Sequence, residues 1–133
     1  MKSIIQVSIA ALGFLAIAAS LSAQSGARRT TNIPALLAYP GFFHGRSILI
    51  VGNVETKSDG QLQASEDSSS VRLVFKGNAP DGVDEIRGEF WDLGRMKADD
   101  PRLSGHDLRH EFKIDPDAPW PRPGDVTAIM ATA

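Results

Sequence analysis

The chain has 133 residues, enough for one domain, with 14 lysine and arginine residues, 16 aspartate and glutamate residues and no cysteine. A net charge of −2 argues against a protein that coats nucleic acid non-specifically. The lack of cysteine excludes disulfides, thiolate metal sites, cysteine nucleophiles and a lipid-modified cysteine.

The N-terminus has the pattern of a secretory signal peptide. Lys2 supplies a positive charge, and residues 4–19 are almost entirely apolar, a run shorter than the ~20 residues that span a bilayer. We predict a signal peptide over residues 1–23, with cleavage after Ser20 as the alternative position. An uncleaved membrane anchor is the competing interpretation. The sequence therefore predicts an exported protein, periplasmic or secreted.

The rest of the chain is predicted to form a leader and a single domain. Residues 24–31 are polar and lack periodicity, which indicates a flexible leader before an OB-like domain over residues 32–133. A short helix is predicted for residues 33–38, because Asn32 is a favourable N-cap and Pro34 fits the first turn of a helix.

Five segments have the two-residue period or the β-rich composition of strands, namely residues 47–54, 61–65, 71–76, 84–93 and 125–132. The first four are joined by short turns rich in glycine, asparagine, aspartate and serine, which is typical of antiparallel connections. Residues 94–124 are less regular, and four prolines within residues 115–124 predict extended loop there. The predicted fold is mainly β, a small five-stranded antiparallel barrel with a short N-terminal helix.

The segment that holds the predicted helix and first strand resembles the entrance to an OB-fold domain. Such domains often open with a short helix, a proline, an aromatic residue, Gly-Lys or Gly-Arg, and a strand that contains a glycine. Those positions are filled here by Pro40, Phe43, Gly45-Arg46 and Gly52-Asn53-Val54, followed by a Gly-x-x-Pro loop at residues 77–80 and a strand with Gly88. Residues 33–93 are thus similar to small exported OB-fold domains, to anticodon-binding-like domains and to the periplasmic haem chaperone of cytochrome c maturation. The resemblance implies a fold rather than an activity.

The resemblance also implies where a ligand would lie. OB-folds hold ligands across the second and third strands and the flanking loops, with stacking aromatic residues and cations. The outward-facing residues that are cationic or aromatic, as such a site requires, are Arg72, Lys76, Arg87 and Trp91. The competing interpretation is that Trp91 packs under residues 94–124 while Arg87 pairs with a glutamate across the sheet.

The net charge of the chain limits the class of ligand that we expect it to bind. Without residues 1–23 the chain keeps 13 basic and 16 acidic residues, a net charge of −3, which argues against DNA or RNA as the partner. A protein or an envelope saccharide is the predicted ligand, with no cofactor and no membrane span once the signal is removed.

Two histidines suggest an alternative function. His106 and His110 are four residues apart and would share one face of a helix, a spacing that can hold a metal. Neither Asp107 nor Glu111 completes a known zinc signature, and His44 is predicted to be a packing residue. A metal or haem carrier that uses His106 and His110 is therefore the first alternative to a binding module.

Catalytic motifs are missing from the sequence. It contains no Gly-x-Ser-x-Gly elbow, no phosphate-cradling glycine motif and no complete calcium loop. A hydrolase that uses a pair of carboxylates remains a second alternative. The sequence predicts a non-catalytic binding or assembly module rather than an enzyme.

Overall fold

The computed structural model describes residues 28–75 and 82–132, so the predicted signal peptide, the first half of the leader (residues 24–27) and Lys76 lie outside the described residues. The strands are β1 (Arg29–Thr30), β2 (Ser47–Thr56), β3 (Leu62–Glu66), β4 (Ser69–Phe75), β5 (Gly82–Asp92) and β6 (Thr127–Thr132). The helices are α1 (Ile33–Ala38), α2 (Pro40–Phe43) and α3 (Leu108–Phe112), with short 3-10 helices at Leu93–Arg95 and Pro101–Leu103. Within the described residues, no helix is both long and apolar enough to cross a bilayer.

Five strands close into a barrel in the order β2-β3-β4-β6-β5, with β5 pairing back onto β2. The predicted mainly β barrel with a short N-terminal helix is confirmed, and its shape is compatible with an OB-like fold. The barrel is mixed rather than purely antiparallel, because β4 and β6 run in parallel. Successive strands alternate in direction, and β6 inserts between β4 and β5, so it is antiparallel to β5 and parallel to β4.

The N-terminal helix α1 forms as predicted and packs into the barrel. The side chain of Asn32 accepts a hydrogen bond of 2.8 Å from the backbone N–H of Ala35, which caps the helix. Ile33 and Leu36 are fully buried among the inward side chains of the barrel. The N–H of Ile33 also donates to the Glu66 carboxylate of β3, at 3.2 Å. A second short helix, α2, follows immediately and was not expected from the sequence.

The end of the predicted leader is part of the sheet. The sequence predicts flexibility over residues 24–31, but β1 forms there and pairs in parallel with the first half of β2. The N–H of Thr31 then donates to the carbonyl of Leu49 at 3.0 Å. Because β2 pairs with β3 only from Asn53 onward, β1 occupies the edge of β2 that β3 leaves open.

The molecule has two hydrophobic clusters, one inside the barrel and one on its outer surface. The inner cluster is formed by α1, α2 and the inward side chains of the strands, among them Ile48, Ile50, Val54, Leu73, Ile86, Phe90 and Ile129. The outer cluster forms where residues 93–126 fold back over the sheet, and its buried members are Trp91, Leu93, Met96, Leu103, Phe112, Ile114 and Ala128. Every residue of both clusters, including the partly buried ones, lies between Ile33 and Ala131.

A buried carboxylate joins these layers. Asp92, the last residue of β5, is fully buried, and both of its oxygens accept from the N–H of Gly124 at 2.9 Å. One oxygen also accepts from Arg95 Nε at 3.0 Å, and the backbone N–H of Asp92 donates to Nδ1 of His44 at 3.0 Å. Asp92 thereby holds the two ends of residues 93–126 together and ties them to the segment that follows α2.

Close approach of two strands explains Gly88 in β5. The structure places this glycine opposite Ala131 of β6. A methyl group at Gly88 would overlap the backbone carbonyl of Met130. Only glycine therefore allows β5 and β6 to approach this closely.

We expect Asp92→Asn to lower the free energy of unfolding by about 1–3 kcal/mol. The amide would point an N–H donor at neighbours that are themselves donors, and it would remove the negative charge that pairs with Arg95. Asp99→Asn, at an exposed carboxylate nearby, is the matched control and should change stability by less than about 0.5 kcal/mol. Urea denaturation measures both values. Equal effects of the two substitutions would contradict the role given to Asp92.

We expect Gly88→Ala to destabilise the fold by about 1–3 kcal/mol, since the added methyl meets backbone atoms that cannot move independently of the sheet. Gly52→Ala in β2 is the control, because the nearest atom to the added methyl there, the Ser65 carbonyl oxygen, is 3.3 Å away and needs to move only slightly. Thermal and chemical denaturation compare the two variants. A Gly88→Ala protein as stable as Gly52→Ala would show that the strands are not in close contact at this point.

Candidate functional site

A polar groove crosses β3 and β4, the second and third strands of the closed barrel. Its volume is about 220 Å³. The polar residues that line it come from the β2–β3 turn, the two strands and the chain around the start of β6, namely Lys57, Gln61, Gln63, Ser70, Arg72, Asp125 and Thr127. The groove therefore offers amide, hydroxyl and cationic groups and one carboxylate within one small concave surface.

Arg72 is the residue that sets the charge of this groove. In β4 the alternation of side chains points Val71 and Leu73 into the barrel and Arg72 outward. One guanidinium nitrogen donates to the carbonyl of Phe112 at 3.0 Å, and burial lowers the pKa of the half-buried Arg72 from its ordinary value. No carboxylate of the described residues forms an ion pair with Arg72. A desolvated positive charge thus faces the groove.

The β2–β3 turn, which contributes Lys57 and Gln61 to the groove, is joined to the end of α3. The Gln61 side chain donates to the backbone carbonyl of His110. Lys113 forms an ion pair of 2.8 Å with Asp59, and this hydrogen bond from Lys113 is the main cause that lowers the pKa of the Asp59 carboxyl. These contacts fix the position of α3 beside Arg72.

The structure does not bring the four predicted surface residues together. Arg72 lies in the groove, but Lys76 is outside the described residues. Trp91 is only 6% exposed, because residues 93–126 cover it, and its indole N–H donates to Glu89 at 3.1 Å. Arg87 is exposed on β5, beyond β6 from the groove.

The partner of Arg87 lies on its own strand. Its guanidinium forms an ion pair of 3.2 Å with Glu85, two residues earlier in β5, rather than with a glutamate across the sheet. Both side chains are about half exposed to solvent. Arg87 is therefore a surface residue outside the groove, and of the predicted set only Arg72 among the described residues lines it.

The two C-terminal histidines do not share a helix face. α3 begins at Leu108, so His106 precedes the helix and His110 lies exposed within it. Nδ1 of His106 is 3.1 Å from the Glu111 carboxylate, and its ring packs edge-on against Trp91 with centroids 5.7 Å apart. In residues 28–75 and 82–132, no group of three or more His, Asp or Glu side chains is arranged to hold a metal ion.

Sequence reasoning missed a second cavity, built around Trp120 on the other side of α3. Its volume is about 480 Å³, and Leu108, Ile114 and Pro116 line it together with Trp120. The Trp120 indole N–H donates to the carbonyls of Leu93 and Met96, at 3.1 and 2.9 Å, which fixes the orientation of the ring. The isolated tryptophan among four prolines was the available signal.

Comparisons with known proteins assign no family to the chain. No protein-family model matches it, and a search of curated proteins found no match. The function proposed below therefore rests on the sequence and on the geometry of the described residues.

The environment of His44 favours one protonation state of its ring. It accepts the Asp92 N–H through Nδ1, which requires this nitrogen to be unprotonated. Burial is the largest cause that lowers the pKa of His44 below its ordinary value of 6.5, and the positive charge of Arg102 acts in the same direction. The folded state therefore favours the neutral imidazole, and the packing role predicted for His44 gains an electrostatic component.

Acidification should weaken the fold through His44. A depressed pKa contributes stability that is complete above pH 6.5 and is lost as the pH falls, because the unfolded chain takes up the proton first. Between about pH 7.5 and about pH 5.5, the wild-type protein should lose more unfolding free energy than His44→Asn, whose amide oxygen can still accept the Asp92 N–H. Urea denaturation at each pH measures this difference, with His110→Asn as the exposed control. Parallel pH profiles for wild type and His44→Asn would refute the assignment.

Proposed function

We propose that the chain is an exported, non-catalytic binding module of the bacterial envelope, and that the Arg72 groove holds its ligand. The N-terminal sequence pattern supports export, and the position of the groove on the second and third strands supports a binding role. The proposed ligand is an envelope saccharide that carries an acidic group. A protein segment with an exposed carboxylate is the competing ligand.

The observation that carries this proposal is that the half-buried Arg72 forms no ion pair with a carboxylate of the described residues, although Asp59 lies close enough to stabilise its charge in part. A guanidinium that is removed from water without a carboxylate partner is stabilised when an anionic group binds beside it. One of its nitrogens already donates to Phe112, so the remaining N–H groups can bind a carboxylate. The Asp125 carboxylate, which also lines the groove, is paired with Arg122 at 3.6 Å, so Arg72 is left to favour an anionic group over a neutral one.

The rest of the lining favours a sugar. Gln61, Gln63, Ser70 and Thr127 supply amide and hydroxyl groups, which both donate and accept hydrogen bonds and can pair with the hydroxyls of a saccharide. A volume of about 220 Å³ is small for a ligand pocket and suits a single acidic sugar unit rather than a large cofactor. The groove would thus hold one unit of a longer chain that continues into solvent.

We expect the protein to bind oligogalacturonate, a uronic-acid saccharide used as the probe, more tightly than a neutral glucose oligosaccharide of the same length. Arg72→Gln should weaken oligogalacturonate binding by roughly 10- to 100-fold, the usual effect of losing a hydrogen bond to a charged group. Arg87→Gln is the matched control, since it removes the same charge from an exposed site outside the groove. Isothermal titration calorimetry gives the affinities, and NMR shifts of the Gln61 and Gln63 side-chain amides locate the site.

A parallel titration separates the two classes of ligand. An acidic peptide of matched charge that binds more tightly than oligogalacturonate, with the same dependence on Arg72, would assign a protein partner. Failure of both probes to bind, or equal affinities for wild type and Arg72→Gln, would overturn the role of the groove. Thermal denaturation of Arg72→Gln confirms that the variant is folded.

A further inference from the structure

The basic and acidic residues of the chain are segregated along the sequence. No aspartate or glutamate occurs in the first 54 residues, and Glu55 is the first acidic residue. Residues 28–54 carry three arginines, whereas residues 55–133 carry 10 basic and 16 acidic residues, a net charge of −6. The N-terminal part of the domain is therefore cationic within a protein that is acidic as a whole.

Exposed apolar side chains lie in the same part of the molecule. Leu37, Tyr39 and Phe42, on and between α1 and α2, are 39%, 66% and 48% exposed. The guanidinium groups of Arg46 and Arg29 lie 4.6 and 5.2 Å from the centroid of the Phe42 ring. We call these five residues the aromatic–arginine face.

The barrel does not require this face for its own packing. The inward side of the two helices is provided by Ile33, Leu36 and Phe43, which are buried in the inner cluster. Arg29 and Arg46 form no ion pair with a carboxylate of the described residues. An exposed apolar patch bordered by unpaired cations is typical of an interaction surface.

Acidic groups near the two helices are already engaged. The Glu66 carboxylate accepts from the backbone of α1, and Asp92 is buried against Arg95 and Gly124. Glu89, opposite Ser47 in the sheet, accepts a hydrogen bond from the Trp91 indole. They are therefore poorly placed to neutralise the arginines of the face. Its positive charge remains available to an external anionic surface.

We propose that the aromatic–arginine face docks the domain onto an anionic lipid bilayer. Aromatic and leucine side chains insert at the boundary between headgroups and acyl chains, and arginines at their border bind lipid phosphates. The acidic remainder of the chain is repelled by the same surface, so the field of the protein turns the face toward the membrane. This surface is separate from the Arg72 groove, and the inference does not depend on the ligand proposed there.

The position of the face along the chain supports the same partner. Arg28, where the described residues begin, follows the apolar run of residues 4–19 by nine positions. The eight residues between them can span at most roughly 30 Å when fully extended. If export inserts that run into the membrane, the aromatic–arginine face belongs to the end of the domain that is held nearest to the bilayer.

Vesicle co-sedimentation tests the proposal with the chain that begins at Gln24, which retains every residue of both hydrophobic clusters and lacks the apolar run that would itself bind lipid. We expect it to bind vesicles of roughly one part phosphatidylglycerol to two parts phosphatidylcholine, and to bind pure phosphatidylcholine vesicles far more weakly. Added salt should weaken the binding to anionic vesicles.

Substitutions then separate the face from the net charge of the protein. The double variant Arg29→Gln/Arg46→Gln should reduce partitioning by about 30-fold, and Tyr39→Ser should reduce it by several-fold without loss of stability. The charge-matched control Lys97→Gln/Arg109→Gln changes two exposed cations outside the face and should leave partitioning nearly unchanged or slightly stronger. Circular dichroism confirms that each variant is folded.

Three outcomes would overturn the proposal. They are no binding to anionic vesicles at low salt, an equal loss of binding in the control double variant, and full retention of binding in Tyr39→Ser. The last result would assign a purely electrostatic attraction in which the apolar side chains play no part. We expect these variants to keep their affinity for oligogalacturonate. A failure of the lipid proposal can therefore be told apart from a failure of the saccharide proposal.

Discussion

One fully buried carboxylate connects the parts of this molecule that carry its chemistry. Asp92 is the last residue of β5, where the chain leaves the barrel. Its carboxylate binds the N–H of Gly124, shortly before the chain re-enters the barrel as β6. A polar group that is buried away from water is stable only when protein groups form its hydrogen bonds. The neighbours of this carboxylate can therefore adopt few alternative positions. Its N–H holds His44, which extends the same constraint to the N-terminal helices. The segment that Asp92 closes supplies Asp125 and Val126 to the Arg72 groove and forms the cavity at Trp120.

The barrel could be predicted from the sequence because its signals are local. Ile48, Ile50 and Val54 follow the strand period, and Asn32 caps a helix three residues away. The position of Trp91 could not be predicted in this way, because alternation shows which residues face outward but not what covers them. Met96 reaches the outer cluster from irregular backbone and Phe112 from a helix of only five residues, so no periodic pattern in the sequence predicts that layer.

The candidate site, too, could be predicted from the sequence only in part. Arg72 was identified because its strand alternates and because the first part of the chain resembles an OB-fold. The contacts that hold α3 beside Arg72 join residues about fifty positions apart, as between Asp59 and Lys113. Such pairs leave no pattern in a single sequence. The helical spacing of His106 and His110 suggested a shared face, but Asp107 caps α3 and starts the helix after His106.

The two-residue strand β1 has a consequence for solubility. A barrel has no free edges only where every strand is paired along its length, and β2 is longer than its pairing with β3. Without β1, the backbone around Ile48 and Leu49 would present unpaired N–H and C=O groups beside an apolar strand, the template on which edge-to-edge aggregation begins. The few residues that link the apolar N-terminal run to the domain therefore also shield the molecule from association with other copies of itself.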